Sequence, residues 1–343
     1  MRTITYSITP DHAGMSVERY LKQQHGYSTR TLVKLKHYPQ GLQLNGRHAR
    51  TVDLLQAGDT LAVTFLDSQE HGVEHFIRSN RRVEIPYEDD DLLVFNKPAD
   101  MPCHQSCGHA ADTLANVFAA HCDHLGLDLM YRPLNRLDRD TSGLLVLAKH
   151  MLSACSLAGQ MEDRRICRRY LAFVRGLTPD SGTVTAPIGR APGSVIQRCV
   201  DLEQGEPACT HYSRLLYNQK MDLSLISLSL ETGRTHQIRV HMASVGHPLP
   251  GDFLYCPDYR LINRQPLHSW RLEFCHPVTG KPMEFTAPLP QDMAALLPEG
   301  AEETAIWLGA GQARPEGTRE ALSPAPGGCA PLTPSAAPLD SDS

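Results

Sequence analysis

The stretch RLDRDTSGLLV, residues 136–146, combines an acidic side chain, a tight turn and a strand. Residues 144–148 (LLVLA) form the apolar run that is typical of a strand interior. Asp138 precedes this strand, and Arg136 stands two residues before Asp138. A Thr-Ser-Gly turn lies between Asp138 and the apolar run. A carboxylate at a strand edge beside a cation is well placed to act on a ligand. The pattern alone is ambiguous, because an Asp beside Thr-Ser-Gly is more often a turn-capping residue.

Four further blocks accompany this stretch in a fixed order along the chain. They are residues 87–99 (YEDDDLLVFNKPA) with Met101, Pro102 and His104; Thr113, Leu114 and Asn116; residues 168–176 (RRYLAFVRG); and residues 232–241 (TGRTHQIRVH) with 246–248 (GHP) and 251–252 (GD). Together the five blocks resemble the RluA-type RNA pseudouridine synthases over roughly residues 80–297. Five ordered blocks are far more specific than a single motif.

The resemblance implies a fold, a reaction and three catalytic residues. The expected fold is α+β, with a mixed, largely antiparallel sheet, flanking helices and a central cleft. The expected reaction converts uridine in structured RNA to pseudouridine and needs no cofactor. Asp138 matches the family's nucleophile, Arg239 the basic residue expected to pair with it, and Tyr170 the aromatic residue at the base. A cation within about 4–6 Å keeps a carboxylate ionised in a poorly hydrated pocket.

Three residues depart from the family pattern. Asn135 stands where His usually precedes Arg-Leu-Asp, Arg168 replaces Lys, and Glu206 occupies a position where Lys is frequent. None of these changes removes a proposed catalytic group. We therefore expect them to affect the choice of substrate rather than the chemistry.

Composition describes a soluble two-domain protein whose positive charge is local. The chain has 343 residues, 21% charged and 41% hydrophobic, with a net charge of −5. Residues 15–66 oppose seven Lys and Arg with three acids, which gives that segment +4. Such a basic segment is compatible with RNA binding, although the global charge is not. No signal peptide or membrane span is evident, so we expect a cytoplasmic protein, and a monomer is the default.

The chain divides into four predicted segments. Residues 15–66 resemble the alpha-L RNA-binding domain, with helices starting near Ser16 and Ser28 and a hairpin turn at Asn45-Gly46. Residues 67–82 are a predicted linker, 83–297 the catalytic domain and 309–343 a disordered tail. We expect RNA contacts, mostly to phosphates, from Arg30, Lys34, Lys36, Arg47, Arg136 and Arg234.

Several alternatives stay open. The N-terminal segment favours large-subunit ribosomal RNA as substrate, with transfer RNA as the main alternative. An RNA-binding or ribosome-assembly protein whose catalysis has lapsed is a second class, although it has no reason to keep all three catalytic residues. A hydrolytic glycosidase using Asp138 and Asp140 is a third, since residues two apart on an extended chain share a face.

A zinc site is an alternative reading of one Cys- and His-rich stretch. The residues concerned are Cys103, His104, Cys107, His109, His121, Cys122 and His124. Their spacing lacks a clear second ligand pair, so we assign no metal.

Overall fold

The N-terminal unit is a four-stranded antiparallel sheet with two helices. The computed structural model describes residues 2–65 and 73–301 of the chain. Strands β1 (Arg2–Ser7), β2 (Leu42–Leu44), β3 (Arg47–His48) and β4 (Thr60–Phe65) pair in the order β1-β4-β2-β3. Strand β1 lies before residue 15, so the sheet of this unit begins earlier than the predicted range 15–66.

Side-chain caps fix both helices of the unit. Helix α1 (Val17–His25) begins after Ser16, whose hydroxyl accepts a hydrogen bond from the Arg19 backbone. Helix α2 (Thr29–Lys36) begins after Ser28, which accepts from the Thr31 backbone in the same way. Such caps satisfy amide groups that a helix start leaves without a partner. The predicted turn at Asn45-Gly46 joins β2 and β3.

The N-terminal unit packs on the body of the protein. Leu152 of the body is buried in the same hydrophobic cluster as Leu21, Leu42 and Leu61. The Thr31 hydroxyl lies 3.1 Å from the Cys155 sulfur, which adds a polar contact across the same boundary. The two parts therefore share one core at this point rather than being joined only by a linker.

The body is built on a nine-stranded mixed sheet, in agreement with the expected α+β class. Its order is β5-β6-β7-β14-β8-β13-β12-β9, with β15 paired to the outer part of β14. All of its pairings are antiparallel except that of β7 with β14. The strands are β5 (Glu84–Glu88), β6 (Leu92–Lys97), β7 (Ser142–Ala148), β8 (Cys167–Arg175), β9 (Ser181–Thr185), β12 (Cys209–Asn218), β13 (Leu223–Leu230), β14 (Leu267–Cys275) and β15 (Pro282–Thr286).

Helices and a small hairpin complete the body. The helices are α3 (Leu114–Leu125), α4 (Met151–Glu162), α5 (Gln237–Ser244) and α6 (Gln291–Ala294), and the hairpin pairs β10 (Ile188–Arg190) with β11 (Arg198–Val200). The spacing of Ile238, Met242 and Val245 predicts a helix over residues 235–245, and α5 lies within that range. Among the described residues, none of these helices is long and apolar enough to cross a membrane.

Strand β7 is buried on both faces, which explains its continuous apolar sequence. Leu145 and Leu147 pack into one hydrophobic cluster, and Leu144 and Val146 pack into the cluster on the opposite face. The strand therefore holds the preceding turn, with Asp138, at a fixed edge of the core.

Part of the predicted linker packs against the body. Residues 66–72 lie outside the described part of the structure, as does the predicted tail 309–343. Residues Val73–His75 form a helical turn, and Val73 is buried in the main cluster of the body. Arg78 forms an ion pair with Asp123 of α3 at 2.6 Å. The stretch from Val73 is thus part of the body. Because this stretch is mostly polar, the burial of Val73 was not predicted from the sequence.

Gly143 permits the close approach of β7 and β14. Its φ is +109°, and an added Cβ would lie 2.2 Å from the backbone oxygen of Ser269. Gly143 and Ser269 are paired in the parallel ladder. Only glycine combines this backbone conformation with this contact.

We predict that Gly143→Ala destabilises the protein by at least about 3 kcal/mol, because the new methyl group meets backbone that cannot move aside. Chemical denaturation of purified protein measures this change. Gly159→Ala is the matched control: Gly159 is helical with nothing within 4 Å of an added Cβ, and we expect a gain of about 0.5–1 kcal/mol. Equal stability of the two variants would contradict the close-approach argument.

Candidate active site

Backbone contacts hold the loop that carries Asp138. The Thr141 amide donates to the Asp138 carbonyl at 3.1 Å, which closes the turn before β7. The buried ammonium of Lys97 donates to three backbone oxygens, one of them that of Arg139 at 3.0 Å. The Cys103 sulfur lies 3.3 Å from both the nitrogen and the oxygen of Leu137. Burial lowers the pKa of Lys97 to about 8.

A buried arginine joins Asp138 to a second carboxylate. The Arg239 side chain is 1% exposed, and its Nη1 donates to Asp138 Oδ2 at 2.8 Å. Its Nε and Nη2 donate to the two oxygens of Asp252 at 2.7 and 2.8 Å. Burial alone would lower the pKa of Arg239, but the hydrogen bonds to Asp252 and the charges of both carboxylates raise it. The guanidinium is therefore a permanent cation beside Asp138.

Asp252 is oriented by backbone amides as well as by Arg239. Its side chain is fully buried, and Oδ1 accepts from the amides of Leu254 and Tyr255 at 3.0 and 3.2 Å. The preceding Gly251 has φ +72°, and a Cβ there would lie 2.5 Å from the Ile262 oxygen. Asp252 therefore positions Arg239, whereas Asp138 keeps one exposed edge.

Tyr170 and His236 lie in the same cleft. Tyr170, on β8, is 5% exposed and lines the cavity that Asp138 faces. His236 has φ +58° immediately before α5, and its Nε2 lies 3.9 Å from Asp138 Oδ2. Its Nδ1 lies 3.1 Å from the Tyr255 hydroxyl. Burial lowers the pKa of His236, which favours the neutral ring.

The cleft is strongly cationic. It encloses about 950 Å³, and among the described residues that line it Asp138 is the one carboxylate. The lining arginines are Arg132, Arg136, Arg139, Arg168, Arg234 and Arg239. The net charge of −5 thus says little about this surface, which suits a polyanion.

Asp140 does not share the cleft with Asp138, contrary to the glycosidase alternative. Residues 138–141 form a turn rather than an extended chain, and Asp140 is buried. Its carboxylate accepts two hydrogen bonds from Arg139 at 3.1 and 3.0 Å. A glycosidase needs a second carboxyl group across the bond. The described walls of the cleft provide none.

The residues behind the zinc alternative have other partners. His109 pairs with Asp112, and His121 pairs with Glu88, each at 2.7 Å. Within residues 2–65 and 73–301, no three potential ligands from the stretch 103–124 converge. The same stretch therefore provides no metal site in the described structure.

The predicted RNA contacts fall in two places. Lys34, Lys36 and Arg47 are exposed on the N-terminal unit; Arg30 lies in α2, and its side chain is outside the described part. At the cleft, Arg136 is exposed, whereas Arg234 pairs with Glu206, the acidic departure from the family pattern. The Glu206 pairing reduces the free charge of Arg234.

The other two departures also border the cleft. Asn135 and Arg168 both line it. The Asn135 Nδ2 and Arg168 Nε atoms are buried without a hydrogen-bond partner in the structure.

Asp252, His236, Tyr255 and Lys97 were not predicted as site residues. Asp252, His236 and Lys97 nevertheless stand in the blocks that resemble the family. Their positions relative to Asp138 depend on tertiary contacts. The Gly251-Asp252 dipeptide was the available signal, because it stands in one of the blocks that resemble the family.

We predict that Asp252→Asn destabilises the protein by about 3–5 kcal/mol, because it removes one partner of a buried ion pair. Asp138→Asn is the control: its side chain is 27% exposed, and we expect a change within about 1 kcal/mol. Thermal and chemical denaturation of both variants provide the measurement. A smaller loss in Asp252→Asn than in Asp138→Asn would contradict the positioning role of Asp252.

Comparisons with known proteins identify relatives over most of the chain. The sequence model of the RNA pseudouridylate synthase family matches residues 91–244. An uncharacterized RNA pseudouridine synthase of Bacillus subtilis, YjbO, is 40% identical over 82% of this chain and 98% of its own. Ribosomal large subunit pseudouridine synthase D of Neisseria meningitidis serogroup A is 38% identical over 74% of this chain and 70% of its own.

A solved structure extends the likeness to three dimensions. The human RNA pseudouridylate synthase domain containing 1 protein superimposes with a TM-score of 0.51 and 29% identity, covering 62% of this chain and 87% of that one. The chain therefore belongs to the RluA-type family of RNA pseudouridine synthases, which are isomerases acting on RNA.

Proposed function

We propose that this protein isomerises specific uridines of large-subunit ribosomal RNA to pseudouridine, with Asp138 as the nucleophile. The observation that carries the proposal is that Asp138, the one carboxylate on the described cleft wall, is paired with buried Arg239 and surrounded by arginines. Two further facts favour ribosomal RNA. Relatives named as large-subunit enzymes match most of the chain, and the N-terminal unit presents exposed lysines.

The reaction needs only groups that the cleft contains. The C–N bond between C1′ and the uracil breaks, the base turns, and a C–C bond forms at the same carbon. Asp138 either attacks C1′, as carboxylates do in retaining glycosidases, or promotes elimination across C1′ and C2′. The charge of Arg239 keeps the Asp138 carboxylate ionised for either route. No redox step or external donor is involved, so no cofactor is required.

Tyr170 and the arginines hold the substrate. We propose that the Tyr170 ring stacks on the extruded uracil and that its hydroxyl takes part in proton transfer during rearrangement. Extruding a base costs roughly a few kcal/mol. Loops and bulges, whose bases are already partly unstacked, are therefore the favoured substrates. Arg136 and Arg234 hold the phosphates on either side.

We predict that Asp138→Ala lowers the rate of pseudouridine formation by about 10⁴-fold or more, because the residues described along the cleft include no second carboxylate that could replace it. The measurement is pseudouridine mapping of total RNA. It compares cells that lack the chromosomal gene and carry either the normal protein or the variant. RNA affinity should stay equal or increase, since the variant loses a negative charge in a cationic cleft.

Asp128→Ala is the control, because Asp128 is an exposed acid that does not line the cleft. It should restore every position that the normal protein modifies. Loss of RNA binding in Asp138→Ala would make Asp138 structural. Modified positions confined to transfer RNA would reject the ribosomal substrate, and an absence of modified positions would favour a lapsed enzyme.

We predict that Lys34→Gln with Lys36→Gln reduces the slope of log K against log salt by about 2, since each phosphate contact contributes about one unit. Binding of a ribosomal RNA fragment is titrated at several salt concentrations. Lys220→Gln is the control, because Lys220 is also exposed but lies on the body and pairs with Glu299. An unchanged slope in the double variant would remove α2 from the RNA interface.

A further inference from the structure

Three side chains that commonly bind metals converge outside the cleft. Cys209 and His211 lie two residues apart on β12, so both project from the same face of the sheet. Glu231 directly follows β13, and its amide donates to the Cys209 oxygen at 3.2 Å, which places it opposite Cys209. None of the three lines the cleft, and the catalytic proposal uses none of them.

The three donor atoms have separations close to those around a tetrahedral ion. The Cys209 sulfur lies 3.6 Å from His211 Nε2 and 3.5 Å from Glu231 Oε1. Bond lengths to zinc of about 2.3 Å for sulfur and about 2.0–2.2 Å for nitrogen and oxygen place sulfur about 3.5 Å from either atom. His211 Nε2 and Glu231 Oε1 are 2.8 Å apart, about 0.6 Å closer than zinc requires. The Glu231 side chain is 27% exposed and has room for this shift.

Neighbouring side chains form hydrogen bonds with each of the three possible ligands. The Thr183 hydroxyl lies 2.9 Å from His211 Nδ1 and can accept its proton. In that tautomer Nε2, which contacts Glu231 Oε1 at 2.8 Å, offers its lone pair to a metal. Thr185 donates to the Cys209 sulfur, and Arg164 donates to the second oxygen of Glu231 at 2.9 Å. Such partners fix the orientation of metal ligands and are typical of built metal sites.

A second group of possible ligands lacks this arrangement. Asp89, Asp91 and His276 also lie within reach of one another. His276 Nδ1 accepts from the amides of Val278 and Thr279, so the proton is on Nε2, which donates to Asp89 at 2.8 Å. That histidine has no lone pair left for a metal. The contrast favours the Cys209 group as the ligand site.

We propose that Cys209, His211 and Glu231 bind one Zn²⁺, with water in the fourth position. Binding releases the thiol proton of Cys209 to solvent, because the thiolate is the ligand. A Cys, His and Glu set is typical of zinc rather than of magnesium or calcium, which prefer oxygen alone. These ligands were not predicted from the sequence, because Glu231 stands 20 residues after His211 and only the pairing of β12 with β13 brings them together.

The site lies at the base of the loop that borders the cleft. The Cys209 amide donates to the Thr232 hydroxyl at 3.2 Å, and the Cys209 oxygen accepts from Gln237 at 2.9 Å. Residues between these two contacts include Arg234 and His236 of the cleft. A bound ion therefore fixes both ends of this loop through Cys209 without touching the substrate.

The test uses full-length, untagged protein and the metal alone. After treatment with a chelator, the protein is titrated with Zn²⁺ by calorimetry and with Co²⁺ by absorption spectroscopy. We expect one ion per chain, proton release, and a thiolate-to-cobalt charge-transfer band with intense tetrahedral d–d bands. Cys209→Ser should abolish that band, and Thr183→Val should weaken binding about 10–100-fold.

Two controls keep the proposal open to rejection. Cys107→Ser, at an exposed free thiol, should bind the metal as the normal protein does. In the normal protein, Zn²⁺ should slow the alkylation of Cys209 more than the alkylation of Cys107. The masses of the two peptides measure both rates. This comparison does not depend on whether any variant folds. No saturable binding, a cobalt spectrum without a thiolate band, or equal protection of both cysteines would overturn the site.

Discussion

The buried guanidinium of Arg239 holds two carboxylates that belong to different parts of the chain. Asp138 comes from the turn before β7, and Asp252 comes from a loop more than one hundred residues later. A buried cation is costly unless its donors are used, and here both carboxylates use them. The pairing therefore joins the turn of Asp138 to the loop of Asp252 at the cleft. A chain that misplaces the loop of Asp252 leaves the buried Arg239 charge without two of its acceptors.

The electrostatics of the cleft depend on where charges lie rather than on how many there are. Acidic residues outnumber basic ones over the whole chain, yet arginines dominate the cleft wall. Several acids are used in pairs away from it, such as Asp123 with Arg78 and Asp292 with Arg264. A polyanion approaching the cleft meets a local field of opposite sign. Composition would have ranked this protein low among RNA binders.

Much of the architecture could be predicted from the sequence, because it depends on local patterns. The buried run of β7, the caps at Ser16 and Ser28 and the turn at Asn45-Gly46 each follow from neighbouring residues. The pairing of Asp138 with Arg239 was predicted from a family resemblance, because no local pattern places residues 138 and 239 together. Strand β1 was not predicted, although its alternating sequence RTITYS is typical of a strand; its pairing with β4 depends on a contact between distant parts of the unit. The burial of Asp252 and the turn that separates Asp140 from Asp138 depend on tertiary packing.

The shared core between the N-terminal unit and helix α4 has a consequence for substrate choice. Leu152 belongs to the hydrophobic cluster of the N-terminal unit, while the strand before α4 carries the turn of Asp138. The exposed lysines of α2 and the Asp138 side chain are thereby held at a fixed distance from each other. Under the proposed function, an RNA that contacts both must present a backbone segment and an accessible uridine at that same separation. The packing of the two parts then makes the dimensions of a folded RNA a condition for its modification.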